Sequence, residues 1–112
     1  MKVRTSTLDN ETIVFEIEPD DEGPLVERLK DQPNGFAIMG ETLPFQAAVV
    51  DSRNLSKTWF TPDHLLAIEA HELGHIRMNS TVESVAETEG IRLLEKCGHT
   101  EAASLLYERG IV

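Results

Sequence analysis

The last proline of the chain, Pro62, separates two parts of the sequence that differ in character. Four of the five prolines lie within residues 1–60, where short alternating or β-rich runs predict strands. After Pro62 the apolar residues recur at helical spacing and no further proline interrupts them. The sequence therefore predicts an α+β fold, with a mainly β part (1–60) followed by a helical part (61–112).

Length and composition favour one soluble domain over residues 1–112. A chain of 112 residues with 40% hydrophobic and 27% charged residues is typical of a small globular protein. The longest apolar runs are too short to span a bilayer, and the first residues lack the apolar core of a signal peptide. The single cysteine, Cys97, excludes an internal disulfide and favours a reducing compartment. We therefore expect a cytoplasmic protein without a membrane partner.

The charge balance argues against nucleic acid as a partner. Twenty acidic residues oppose ten basic ones, which gives a net charge of −10. Such a chain repels a phosphate backbone, and proteins that bind one usually carry a basic patch. Composition leaves the oligomeric state open.

Four short elements are predicted in the β part. Alternation of apolar and polar residues predicts a half-buried strand over Thr12–Glu18. Proline at the first position predicts a short helix over Pro24–Lys30. Two further strands are expected at Phe36–Met39 and Phe45–Val50, followed by a polar connection. The β part is therefore a small sheet with one short helix.

Three helices are predicted in the second part. Thr61 is a suitable N-cap for a helix that runs to about Met78. The segment Asn79–Thr81 then predicts a tight break, with Ser80 or Thr81 capping a second helix to about Cys97. Thr100 caps a third helix that ends near residue 110.

The first long helix contains an H-E-x-x-H pattern formed by His71, Glu72 and His75. Residues four apart share one face of a helix, so the two imidazoles can bind one metal ion. Glu72 is placed to act as general base towards a metal-bound water. Solvated histidines on an amphipathic helix are the alternative. The apolar turns before the motif, formed by Leu65, Leu66 and Ile68, count against this alternative. They indicate that the helix is largely buried, and buried imidazoles need hydrogen-bond or metal partners.

A third metal ligand is expected from the next helix. In a tight antiparallel hairpin, Glu83 faces His75, while Glu87 lies one turn further and is placed to accept the free N–H of His71. Glu89 is expected on the solvated flank. A plain charged helix face remains the alternative for Glu87. The buried stripe that supports this register consists of Val82, Ala86, Leu93 and Cys97.

The motif and the following helix resemble the gluzincins, in which H-E-x-x-H is completed by E-x-x-A-D or E-x-x-A-N. Here Glu83 and Ala86-Glu87 occupy the matching positions. Residues 64–94 are especially similar to the ImmA/IrrE-type peptidases, and the chain is similar in size to the minigluzincins. The resemblance implies a zincin-like fold with one zinc ion. It implies His71, His75 and Glu83 as ligands, Glu72 as the catalytic acid and base, and Glu87 as a supporting acid or alternative ligand.

Other candidate residues have two interpretations each. In zincin-like peptidases an edge strand beside the active-site helix pairs with the peptide substrate; Phe45–Val50 is the candidate strand, and a plain core strand is the alternative. His99 and Tyr107 are candidates for holding an oxyanion, although surface positions on the last helix are favoured for both. His64 is expected in the first helical turn, and Cys97 as a small buried residue.

Two functions remain from the sequence. The first is a zinc-dependent endopeptidase in which Glu72 activates a zinc-bound water to hydrolyse protein or peptide substrates. Such an enzyme is latent if residues 107–112 lie across the groove. The alternative is a non-catalytic zinc-binding regulatory or interaction module on a zincin-like scaffold. The presence of Glu72 favours the enzyme, since a structural zinc site does not need that carboxylate.

Overall fold

The structure is a computed structural model that describes residues 1–39 and 46–109, and it confirms an α+β fold in which strands precede helices. A single-turn α1 lies among four strands, and a 3₁₀ segment and three longer helices follow. The elements are β1 (Lys2–Thr5), β2 (Ile13–Ile17), α1 (Pro24–Arg28), β3 (Gly35–Ile38), β4 (Ala47–Asp51), the 3₁₀ segment (Ser52–Ser56), α2 (Pro62–Met78), α3 (Glu83–Lys96) and α4 (Thr100–Arg109).

The sheet has the strand order β1-β2-β4-β3. Strands β1 and β2 are antiparallel, β2 and β4 are parallel, and β4 and β3 are antiparallel. Of the two interpretations of Phe45–Val50, the edge strand is therefore wrong and the plain core strand is confirmed, because β4 has a neighbour on each side. Its residues Ala47 to Val50 are fully buried, as a central strand covered on both faces requires. Phe45 itself lies outside the described residues.

Each face of the sheet has its own hydrophobic cluster. One cluster joins the sheet to α2, α3 and α4 and includes Val14, Ala48 and Val50. The other joins Phe36 and Val49 to α1. Successive residues of a strand point to opposite faces, so the alternation along β4 assigns its side chains to the two clusters in turn. Strand β3 thus runs at the boundary between α1 on one face and α2 on the other.

The hairpin of α2 and α3 is built as the sequence predicts, with one difference at its cap. Thr61 caps α2, and Asn79 ends it in the left-handed conformation at φ 47°. The predicted capping of α3 by Ser80 or Thr81 is wrong, because the N-cap is Val82 and makes no side-chain cap hydrogen bond. The Ser80 hydroxyl instead accepts a hydrogen bond from Val82 N at 3.1 Å. The break still turns the chain back on itself.

Two glycines let the helices of this hairpin approach closely. A Cβ atom at Gly74 of α2 would lie 2.0 Å from the carbonyl oxygen of Ala86 on α3. A Cβ atom at Gly90 would lie 2.9 Å from the carbonyl oxygen of Ala70. Since real Cβ atoms do not make contacts this short, larger residues at these positions would push the helices apart. The small residues therefore set the distance between α2 and α3.

Three further features of the fold differ from the sequence predictions. Strand β1 and the 3₁₀ segment were not predicted. Val82 and Cys97 are exposed, so they do not belong to the buried stripe of α3, and Cys97 is not a buried residue. The buried residues of α3 are Ala86, Gly90, Ile91, Leu93 and Leu94.

None of the helices in the described ranges is long and apolar enough to cross a membrane.

Candidate metal centre

His71 and His75 lie one above the other on the buried face of α2. Their ring centroids are 4.9 Å apart, and the rings are nearly perpendicular at 80°. His71 is fully buried and His75 is 7% exposed. The predicted helical spacing therefore brings both imidazoles to one point, as one metal ion would require.

Glu83, the first residue of α3, reaches both rings. Its Oε2 lies 2.8 Å from His71 Nε2, and its Oε1 lies 3.1 Å from His75 Nε2. One nitrogen or oxygen from each of the three residues lies within 4.8 Å of the others. The structure thus brings together the three residues that the sequence proposed as metal ligands.

The other nitrogens of the two rings have different surroundings. His75 Nδ1 lies 2.7 Å from the carbonyl oxygen of Ser80, which can only accept a hydrogen bond. Nδ1 therefore carries a proton, and in the neutral imidazole this leaves the lone pair of Nε2 on the side of Glu83 for a metal ion. His71 Nδ1 is buried and has no hydrogen-bond partner. The predicted hydrogen bond from His71 to the half-buried Glu87 is not made.

Burial also affects the protonation of His71. It lowers the pKa of His71 below its usual value, against the opposing effect of Glu83. A neutral imidazole is the form that ligates a metal ion. The lowered pKa of His71 therefore favours the form that a metal ion binds.

The donor set fits zinc. Zinc favours four-coordinate sites with histidine and carboxylate ligands, and bonds of about 2.0–2.2 Å place tetrahedral ligand atoms roughly 3.3–3.6 Å apart. The two contacts of Glu83 are a few tenths of an ångström shorter than that, at 2.8 and 3.1 Å. More than half of the Glu83 side chain is exposed, at 57%, so its carboxylate has room to withdraw. Three protein ligands would leave a fourth position for water.

Glu72 lies beside the cluster and is 4% exposed. Burial, together with the negative charge of Glu83, raises the pKa of Glu72 to about 8. A nearby cation would favour the ionised carboxylate and oppose this shift. A carboxyl group held in this way, at the edge of a groove, has the properties of a general acid and base.

A groove of about 500 Å³ opens over these residues. Glu72, His75 and Glu83 form part of its lining on the helical side. The end of α1, the connection from α1 to β3, and β3 with the residue after it supply most of the remaining wall: Arg28, Asp31, Gln32, Pro33, Gly35, Phe36, Ala37 and Met39. Neither β3 nor Arg28 was predicted as part of the site. The continuous apolar run of β4, typical of a central strand, was the signal that another strand forms the edge.

The remaining candidate residues lie away from the cluster. Tyr107 is 69% exposed, and neither it nor His99 lines the groove. His64 stands in the first turn of α2, where its Nδ1 lies 3.1 Å from Thr61 N, as predicted. The expectation that Glu89 lies on a solvated flank is wrong, because only 10% of its side chain is exposed and both Arg77 and Arg92 donate hydrogen bonds to it. Within the described residues, the candidate metal ligands therefore all lie on α2 and at the start of α3.

An α+β domain with a His-His-Glu cluster on two paired helices is consistent with a minimal zincin-like domain that could hold a metal ion. The chain belongs to peptidase family M48, a zinc metallopeptidase family whose sequence model matches residues 17–108. No curated protein and no solved structure matches the chain significantly. The closer resemblance to ImmA/IrrE-type peptidases and minigluzincins stays a prediction.

Proposed function

We propose that this protein is a zinc-dependent endopeptidase whose centre consists of His71, His75, Glu83 and Glu72. The observation that carries the proposal is the convergence of both Nε2 atoms on the Glu83 carboxylate, at 2.8 and 3.1 Å, beside a buried Glu72. Membership of peptidase family M48 supports the same chemistry.

His71, His75 and Glu83 would hold a single zinc ion. The ion, when bound, supplies Lewis-acid chemistry that polarises water and the peptide carbonyl. Glu83 also neutralises part of its charge. The half-buried Glu87 lies close enough to His71 to influence its pKa, and this supports a role in orienting that ring.

Glu72 performs the proton transfers. As a carboxylate, it takes a proton from the attacking water, and it then passes the proton to the nitrogen of the leaving amine. Its buried position favours the first step, because a desolvated carboxylate gives up its charge readily by taking up a proton. A non-catalytic zinc module would have no need for an acid in this place, so the position of Glu72 favours the enzyme.

The edge of β3 is the proposed docking site for the substrate backbone. Within the described residues, β3 pairs only with β4 and has a free edge towards the groove. An extended peptide can add to such an edge through main-chain hydrogen bonds, which tolerate many sequences. This role replaces the one expected of Phe45–Val50.

Latency and location stay predictions. Tyr107 does not line the groove, and residues 110–112 lie outside the described chain. Trimming after Leu106 therefore remains the direct test of whether the C-terminal residues restrain activity. A cytoplasmic location is supported by the single cysteine only.

Cleavage of an unstructured, casein-like protein by the zinc-loaded chain tests the proposal. Purified protein should release peptides from this substrate, and Glu72→Gln with the same zinc content should not. Wild-type protein that binds zinc and cleaves nothing, even after trimming, would favour the non-catalytic module.

A further inference from the structure

The groove contains a guanidinium group that has no acidic partner among residues 1–39 and 46–109. Arg28 Nε donates a hydrogen bond to Gln32 Oε1 at 2.7 Å, and the guanidinium carbon lies 4.3 Å from the centre of the Phe36 ring. Both contacts are neutral. They hold the plane of the group while leaving the two terminal nitrogens available as donors.

The lack of a carboxylate partner distinguishes Arg28 from the other described arginine side chains. Four other arginines each lie within salt-bridge distance of a carboxylate: Arg4, Arg53, Arg77 and Arg92. Arg28 lies within that distance of no carboxylate of the described residues. The chain carries twenty acidic residues, so partners are plentiful. Asp31 lines the same groove without forming an ion pair with Arg28. An oriented, unpaired guanidinium in a groove is suited to bind a carboxylate from outside.

The position of Arg28 relative to β3 decides which part of a substrate can reach it. Phe36, over which Arg28 lies, belongs to the cluster on the α1 face of the sheet. Glu72 and His75 belong to α2 on the opposite face. A peptide that pairs with the edge of β3 directs successive side chains to these two faces in turn. Only every second side chain of the substrate therefore points towards Arg28.

We propose that Arg28 is a specificity-determining residue that selects peptides with a carboxylate on the α1 side of the groove. The inference rests on the proposed peptidase function. The carboxylate belongs either to an aspartate or glutamate side chain or to the C-terminus of the peptide, since the guanidinium recognises the same group in each. The net charge of −10 repels acidic peptides at long range, so any preference for them is a local effect.

Paired synthetic peptides test the proposal. Once the bond cleaved in a neutral peptide is known, one glutamate is moved through the sequence, and each peptide is compared with its glutamine twin. The ratio of kcat/KM for the glutamate peptide to kcat/KM for its glutamine twin should be about 10 at one position and about 1 at the neighbouring positions. The ratio should fall at high salt. C-terminal amides and free acids of the same peptides distinguish the two sources of the carboxylate.

Three variants locate the effect. Arg28→Gln should reduce the ratio to about 1, and Arg28→Lys should retain part of it because the charge remains without the planar fork. Lys57→Gln is the matched control, since Lys57 also lies over an aromatic ring, that of Trp59, but does not line the groove. It should keep the tenfold ratio. Equal cleavage of all twins, or an unchanged ratio in Arg28→Gln, overturns the proposal.

A binding measurement separates this inference from the peptidase proposal. Fluorescence anisotropy with labelled peptides and zinc-loaded Glu72→Gln protein reports recognition without turnover. Binding of the acidic peptide about tenfold more tightly, lost when Arg28→Gln is added, supports the inference even if wild-type protein cleaves nothing. Cleavage without any charge preference overturns the inference alone, and so does equal binding of the twins.

Discussion

Nε2 of the fully buried His71 lies 2.8 Å from Oε2 of Glu83, although the residues are twelve positions apart and belong to different helices. The contact exists because Asn79 turns the chain and Gly74 lets α3 lie against α2. The geometry of the metal candidates therefore depends on the packing of the hairpin, which links zinc binding to stability.

We first expect one zinc ion per chain and a higher melting temperature when zinc is present. A ligand that binds only the folded state stabilises it by about 2.7 kcal/mol at a free concentration 100 times its Kd. Metal analysis and thermal unfolding, each with and without a chelator, measure both effects. Unchanged melting on removal of bound zinc would contradict the linkage.

Glu83→Ala and Glu87→Ala should weaken zinc binding to different extents. Loss of a ligand, Glu83, should abolish tight binding, whereas loss of Glu87 should reduce affinity only about 10–100-fold. Competition with a chromophoric chelator gives both affinities, and Glu95→Ala on the exposed side of α3 is the control. The reverse order would make Glu87 the third ligand.

Gly74→Ala should destabilise the protein and weaken zinc binding together. The added Cβ would lie 2.0 Å from the carbonyl oxygen of Ala86, so the two helices must separate. Overpacking of this kind costs about 1–3 kcal/mol or more. Gly90→Ala, with a contact of 2.9 Å, should have a smaller effect on urea unfolding and zinc affinity. Equal, small effects of both substitutions would show that the interface relaxes.

The centre could be predicted because its geometry is largely local. Helical spacing alone brings His71 and His75 together, and a short break at Asn79–Thr81 limits where Glu83 can lie. The hydrogen bond of His75 Nδ1 to the Ser80 carbonyl depends on the conformation of that turn, which side-chain types do not specify. For the same reason the cap of α3 was assigned to the wrong residue.

Non-local pairing explains the failures in the β part. Strand β1 is short and mostly exposed, and the Arg4–Glu69 ion pair that fastens it to α2 joins residues 65 positions apart. Periodicity within a strand identifies its buried face but not its neighbours. Consequently β4 was recognised as a strand, but the sequence did not decide between an edge and a central place in the sheet.

Glu89 should make the stability of the protein depend on acid. Hydrogen bonds from Arg92 and Arg77 lower the pKa of Glu89 to about 2 from 4.5, so its ion pairs stabilise the folded state above the unfolded pKa. This stability, about 1 kcal/mol after allowance for solvent screening, should disappear as pH falls from about 4.5 to 2. Urea unfolding of Glu89→Gln between pH 7 and 3 measures the loss.

The matched control for that titration is Glu95→Gln, since Glu95 is exposed on the same helix and forms no ion pair within the described residues. It should change stability little at any pH. A difference between wild type and Glu89→Gln that stays constant down to pH 3 would contradict the assignment.

The most direct test of the catalytic account is the rate of peptide hydrolysis by Glu72→Gln at a zinc content equal to that of wild type. Glutamine is nearly isosteric with glutamate and cannot accept the proton of water, so zinc binding and the fold should be retained. The account predicts a fall in kcat/KM of at least about 10²–10⁴-fold. Wild-type activity that persists in a fully zinc-loaded Glu72→Gln protein would contradict it.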